Sequence, residues 1–150
     1  MGSFNIINSN IRTGYTSAMT KLSTEKKKQK AEEILNKLSD LINKGVITTK
    51  NYGSLNRCLE DYNCRLRFKH TTDNDLLVGY SYKLKDGEGY VYYSFRKKSY
   101  EVCYIKQDGY SFRRAEDCEK RSLNSKIVAT HSKLEKEGVM QRLEQMAKKY

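Results

Sequence analysis
The 150-residue chain has no proline and no tryptophan, and no apolar run approaches the length of a membrane span. Without proline there is no cis-proline turn, no PxxP ligand and no rigid proline spacer. The first residues lack an apolar segment of the secretory type, so a cytoplasmic location is expected, with no membrane contact. Met1-Gly2-Ser3 is too little to indicate lipidation.

Catalytic signatures are also missing. The chain carries no GxGxxG fingerprint, no phosphate-binding loop, no HExxH and no GxSxG. Imidazole is limited to His70 and His131. His70, with Asp73 and Asp75 close in sequence, is the one place where a metal or an activated water is conceivable. It continues an apolar strand face, however, and His131 lies on an apolar helical stripe, so both read as packing residues. Twelve tyrosines offer many hydroxyls, but abundance singles out none. The expectation is a binding protein, with no catalytic residue, metal or cofactor assigned.

The four cysteines, Cys58, Cys64, Cys103 and Cys118, are separated by 6, 39 and 15 positions and form no CxxC pair. Zinc ligands are usually more closely paired. Core thiols in a reducing compartment are the first reading. Two disulfides in a secreted protein, or a zinc site with His70 or His131, are the alternatives.

What the chain has is positive charge and tyrosine. Twenty-nine Lys and Arg against 18 Asp and Glu give +11. Such an excess favours nucleic acid or an acidic protein surface, and also serves solubility. Tyrosine combines an apolar ring with a polar tip, which suits half-buried sheet faces and binding surfaces.

The pattern along the chain predicts an α+β fold. Residues 1–22 read as an irregular arm that Ile6, Ile7 and Ile11 might dock, and 23–150 as a single basic domain. A helix is predicted over Thr24–Lys44, capped by Ser23 or Thr24, with an apolar stripe of Ala31, Ile34, Leu35, Leu38, Leu41 and Ile42 and a stop at Gly45. Lys26, Lys27, Lys28 and Lys30 would oppose the dipole at its amino end, which suggests a surface use for them. A second helix is expected over Lys50–Tyr62. As a helix-turn-helix DNA reader this pair offers little beyond Asn56 and Arg57 to reach bases.

The period then changes to two. Strands are predicted at Cys64–His70, Leu76–Lys85, Tyr90–Arg96 and Tyr100–Lys106, with a short fifth at Tyr110–Arg113. Asp86-Gly87-Glu88-Gly89 marks a hairpin. Helices return at Ala115–Arg121 and over Ile127–Met146, interrupted near Gly138. The expected architecture is an antiparallel meander of four or five strands, packed on one face by N-terminal and C-terminal helices.

Between Cys64 and Arg114 eleven basic residues face six acidic ones, and the acids concentrate in predicted turns. If helices cover the apolar face, Arg65, Arg67, Lys69, Lys83 and Lys85 share the other, joined by Tyr90, Tyr92, Arg96, Lys97 and Lys98, with Lys26 and Lys27 in support. Lys and Arg displace counterions from phosphates, and an exposed tyrosine can stack on an unpaired base. Nucleic-acid binding, DNA or RNA, through this surface is therefore the expected function. The alternative is a protein-interaction module, an inhibitor or accessory subunit of a larger nucleic-acid-processing protein. Alternating Lys and Arg also protect sheet edges with no ligand at all.

Overall fold
The change of period near residue 64 is where helix gives way to sheet. The computed structural model describes residues 13–148, with side chains from residue 24 onward. Helix α1 spans Thr13–Asn43 and α2 Tyr52–Asp61; strands follow as β1 Arg67–His70, β2 Leu76–Leu84, β3 Gly87–Ser94, β4 Ser99–Lys106 and β5 Gly109–Arg114; α3 Asp117–Lys136 and α4 Val139–Ala147 complete the described chain.

Helix α1 starts eleven residues before the expected Thr24, inside the expected irregular arm. Once the apolar stripe nucleates a helix, each added residue costs little, and only Gly14 resists extension between 13 and 24. Ser23 and Thr24 are therefore not caps. Lys26, Lys27, Lys28 and Lys30 lie mid-helix, so the dipole argument does not apply to them. The proposed docking residues Ile6, Ile7 and Ile11 lie outside the described residues.

The carboxyl end of α1 is as expected. Gly45 takes φ +76°, Val46 N–H donates to the Leu41 carbonyl at 2.9 Å, and Gly45 N–H donates to Ile42 at 3.1 Å. This is the Schellman arrangement. Helix α2 ends in the same way with Asn63 in the left-handed position, Cys64 N–H bonding Leu59 and Asn63 N–H bonding Glu60. That cap delays the first strand. Cys64 is still occupied with the helix end, so β1 begins at Arg67 rather than Cys64.

The five strands form one antiparallel meander in the order β1-β2-β3-β4-β5. The turn between β2 and β3 differs from expectation. Leu84 pairs with Gly87, so Lys85-Asp86 make the turn, and both glycines are strand residues. Their purpose is space rather than positive φ. A Cβ on Gly87 would lie 2.0 Å from the Ile105 carbonyl oxygen, and one on Gly89 would lie 2.3 Å from Cζ of Tyr82.

Helices cover one sheet face. Ala31, Ile34, Leu35 and Leu38 of α1, Leu55 and Leu59 of α2, Leu123, Ile127 and Leu134 of α3, and Val139 and Met140 of α4 form one core with Leu66, Phe68, Leu76, Val78, Val91, Phe95 and Val102. Tyrosines extend this contact with polar tips: Tyr80 donates to Ser122 at 3.0 Å and Tyr100 to Asn124 at 2.8 Å, both on α3. Helix α3 is one continuous element where two were expected, opened by a capping box between Glu116 and Glu119. It stops at Gly138, whose φ of +78° turns the chain into α4.

Two buried polar groups shape this frame. Asp75, 6% exposed, accepts from Ser94 Oγ at 2.9 Å and from Arg96 N–H at 3.2 Å, tying the β1–β2 turn to the β3–β4 turn. His131 is buried among apolar residues, and its Nε2 has no hydrogen-bond partner. Burial lowers its pKa below the ordinary 6.5, opposed by Glu135 on its own helix and by Glu144 on α4, and assisted by Lys37 and Lys30 on α1. The four cysteines are free thiols; Cys103 is buried and Cys118 exposed.

Two consequences are measurable. A Cβ on Gly79 would stand 2.0 Å from the Val91 carbonyl oxygen and 2.7 Å from the Tyr92 Cα, neither of which can move without breaking the β2–β3 pairing. Gly79→Ala is expected to cost about 3 kcal/mol or more in urea unfolding, at the upper end of overpacking penalties. The second concerns pH. Because the His131 pKa is depressed in the fold, the unfolded chain binds the extra proton first as pH falls through 6.5. Stability is therefore full above that value and declines below it until the folded-state pKa is reached. Urea midpoints measured from pH 7.5 to pH 5 should fall, and His131→Leu should flatten that slope.

Candidate functional site
The pairing register assigns every strand side chain to a face. Away from the helices the rows read Lys69, Leu77, Ser94 and Ser99; then Arg67, Gly79, Tyr92, Glu101 and Arg114; then Ser81, Tyr90, Cys103 and Phe112; then Lys83, Glu88, Ile105 and Tyr110. Among the described residues no helix packs on this side. Its small apolar cluster, Leu77, Tyr90, Tyr92 and Cys103 with Ile105 against it, is built from strand residues alone.

Tyr90 and Tyr92 are on the expected face but are not the exposed stacking surface that the sequence suggests. They are 2% and 3% exposed. Their rings stack on each other, with centroids 5.3 Å apart and planes at 16°. The Tyr90 hydroxyl reaches back to β1 and donates to the Arg67 carbonyl at 2.9 Å, so the ring lies across β2, where Gly79 and Ser81 present little bulk. Lys69 places its ammonium 4.3 Å from the Tyr90 ring centroid. Tyr92 donates to Glu101 at 2.8 Å. Burial first, and then the neighbouring Tyr92 or Glu101, raises both phenol pKa values.

The basic residues separate into groups. Arg67, Lys69 and Lys83 do share the open face. Arg67 is half committed, because Nη1 donates to the Cys64 and Leu66 carbonyls at 2.6 and 2.7 Å. Arg65 precedes β1 and is off the sheet; its charge acts on Lys126 of α3, on the helical side. Lys85 is in the β2–β3 turn. Arg96, Lys97 and Lys98 belong to the β3–β4 turn, where Arg96 pairs with Asp75 at 3.8 Å and Lys97 with Glu101 at 3.7 Å. Lys26 and Lys27 are exposed on α1, in the helical layer, and so cannot join the sheet face in one surface. The cleft between α1 and α3, about 740 Å³, interleaves Lys27, Lys28, Lys120 and Arg121 with Glu25, Glu32 and Asp117. The mixed signs make it a weak anion site.

Sequence reasoning missed the most exposed aromatic side chains. Tyr110 and Phe112 of β5 are 71% and 66% exposed. Both stand on the open face, and Arg114 follows them on the same side. The strand was read as a short addition, yet the alternation Tyr110-Ser111-Phe112-Arg113-Arg114 places both aromatic rings on one face. What alternation could not give was how much neighbouring structure covers each ring: Tyr90 and Tyr92 lie in the middle of the sheet, Tyr110 and Phe112 at its edge. Lys83, Lys85, Lys98 and Arg114 form no close ion pair among the described residues, although Glu88 stands opposite Lys83 and Glu101 opposite Arg114 on the same face.

On the helical side Arg113 grips Glu119 with two bonds of 2.8 and 2.6 Å and donates to the Tyr104 hydroxyl at 3.2 and 2.7 Å. These bonds, with the Tyr82 hydroxyl beside them, lower the Tyr104 pKa, whereas burial and Tyr104 push Tyr82 up to about 12. Glu119 is held below its usual carboxylate range by the same arginine. Since Glu119 neutralises Arg113 and also closes the α3 capping box, the group is a joint between β5 and α3. His70 is exposed rather than packed, with Nδ1 2.8 Å from the Tyr52 hydroxyl. The described residues contain no group of three or more His, Cys, Asp or Glu placed to hold a metal ion. No described helix is long and apolar enough to cross a membrane.

Comparison with protein families, with curated proteins and with solved structures finds no match to this chain.

The burial pattern has a direct chemical readout. Tetranitromethane should nitrate Tyr110 rapidly and leave Tyr90 and Tyr92 unmodified in the native protein, as mapped by peptide mass spectrometry. All three should react after denaturation.

Proposed function
We propose that the open sheet face binds single-stranded nucleic acid, with Tyr110 and Phe112 as the stacking platform. The observation that carries this reading is the pair of exposed rings on a face edged by the unpaired cations Lys83, Lys85 and Arg114. Alternate residues of a strand are about 6.8 Å apart. That is roughly twice the rise between stacked bases of a duplex. The spacing suits two bases splayed from an extended strand, each stacked on one ring. The cations contribute by neutralising phosphates and releasing counterions, a sequence-independent and salt-sensitive attraction. Ile105 beside the rings offers apolar contact to the same bases, while the Tyr90–Tyr92 stack lies beside it as a packed floor.

This reading keeps the expected ligand and changes the residues that meet it. The principal contacts become Tyr110, Phe112, Arg114, Lys83 and Lys85, with Lys69 further across the face. Tyr90 and Tyr92 support the surface from beneath.

Fluorescence-anisotropy titration of labelled single- and double-stranded DNA and RNA over a range of salt tests it. Single strands should bind more tightly. Tyr110→Ala and Phe112→Ala should each weaken binding about tenfold, within the range of about 1–3 kcal/mol for base stacking. Lys83→Ala or Arg114→Ala should lower the salt slope by about one. Replacing Lys26 and Lys27 should leave the stacking contribution unchanged. Absence of binding at low salt overturns the proposal and points to a protein partner for the same patch.

A further inference from the structure
The two edges of the sheet are finished differently. At β1 the Asn56 carboxamide from α2 fills the outward positions of Phe68, donating to its carbonyl at 2.9 Å and accepting from its N–H at 2.7 Å. That edge is closed to another strand. At β5 the Arg113 side chain takes the Arg114 carbonyl at 3.1 Å, but no described side chain bonds the backbone of Tyr110 or Phe112. The β4–β5 hairpin closes on the Lys106–Gly109 pair, and Ala115 N–H continues the ladder to the Tyr100 carbonyl at 3.1 Å. Alternation then turns the backbone groups of Tyr110 and Phe112 outward, away from β4. An uncovered edge with exposed aromatic residues and no strand-blocking proline is a template for a further strand.

We infer that this strand is β5 of a second copy, paired antiparallel about a two-fold axis through Ser111. In that register Tyr110 lies opposite Phe112 of the second copy, and the reverse holds for the symmetric pair, so the outward backbone groups of both residues exchange hydrogen bonds. Opposite charges also come together, because the register brings Arg114 at the end of one β5 to the turn residue Asp108 at the start of the other. Moving the axis to Phe112 removes that match and sets Asp108 against Glu116. Charge complementarity therefore selects the Ser111 register, and self-complementarity selects a second copy as the occupant. The sheet becomes a continuous ten-stranded surface with the aromatic rings of both copies at its centre, all on the open face. A contact of one short strand per copy falls below the roughly 800 Å² per partner of a standard stable interface. The dimer is accordingly a concentration-dependent one.

Sedimentation equilibrium of the full chain over about 10–500 µM is the first measurement, and a monomer–dimer equilibrium is expected there. Asp108→Arg should weaken dimerisation about tenfold, since each dimer exchanges two favourable pairs for two like-charge contacts. Adding Arg114→Asp should restore it. In a Cys118→Ser background, Ser111→Cys should form a disulfide-linked dimer on mild oxidation, because the two residues face each other as a non-hydrogen-bonded pair at suitable separation. Circular dichroism and urea unfolding confirm that each variant is folded. A monomer throughout that range overturns the inference, as does a dimer indifferent to both Asp108→Arg and the charge swap. Neither Asp108→Arg nor Ser111→Cys touches the aromatic rings, so failure of the dimer and failure of nucleic-acid binding are separate outcomes.

Discussion
The stack of Tyr90 on Tyr92 is the interaction on which the open face depends. A sheet covered by helices on one side must still bury the apolar residues on the other. Here the cover comes from within. Gly79 has no side chain and Ser81 little, so Tyr90 of the central strand lies down over β2, while Tyr92, stacked on it, turns its hydroxyl to Glu101 of β4. The cost of burying their hydroxyls is offset by bonds to the Arg67 carbonyl and Glu101. The result is a face with a rigid centre, leaving the exposed chemistry to its margins.

Those margins differ in how the helices meet them. Helix α2 leans on β1 and bonds the Phe68 backbone through Asn56, while α3 leaves β5 and folds back over the opposite face, secured by Arg113 and Glu119. The side chains of β5 thus divide by parity. Arg113 turns inward to a structural joint. Tyr110, Phe112 and Arg114 turn outward, with nothing from the helical layer above them. The side chains and the outward backbone of β5 point in perpendicular directions, so the proposed ligand and the proposed strand pairing would not compete for the same atoms.

The net charge of +11 is thereby divided rather than pooled. The α1 lysines lie in the helical layer among carboxylates, the β3–β4 turn spends Arg96 and Lys97 on local ion pairs, and Arg65 faces α3. The unpaired cations beside the exposed aromatic rings are a minority of the total. Bulk charge can draw a polyanion towards the molecule, but its placement decides where such a ligand would rest.

Much of the architecture was legible in the sequence. The apolar stripe of α1, the alternating strands, the stop at Gly45 and the break at Gly138 all follow from periodicity and local backbone chemistry, and they yield an antiparallel meander of four or five strands with helices on one face. Other features required tertiary contacts. The glycines at 87 and 89 resembled a turn because local reasoning cannot see a neighbouring strand pressing where a Cβ would be. Tyr90 and Tyr92 resembled exposed platforms because alternation gives a side chain's face but not whether it stands or lies down. Tyr110 and Phe112 were passed over because their exposure depends on their strand lying at the edge of the sheet, where no neighbour covers the rings. The sequence by itself determined the elements, their order and the excess of positive charge, since these rest on interactions between near neighbours. Only the tertiary structure decided which aromatic rings meet solvent and which sheet edge stays open, because both depend on segments far apart in the chain competing for the same space.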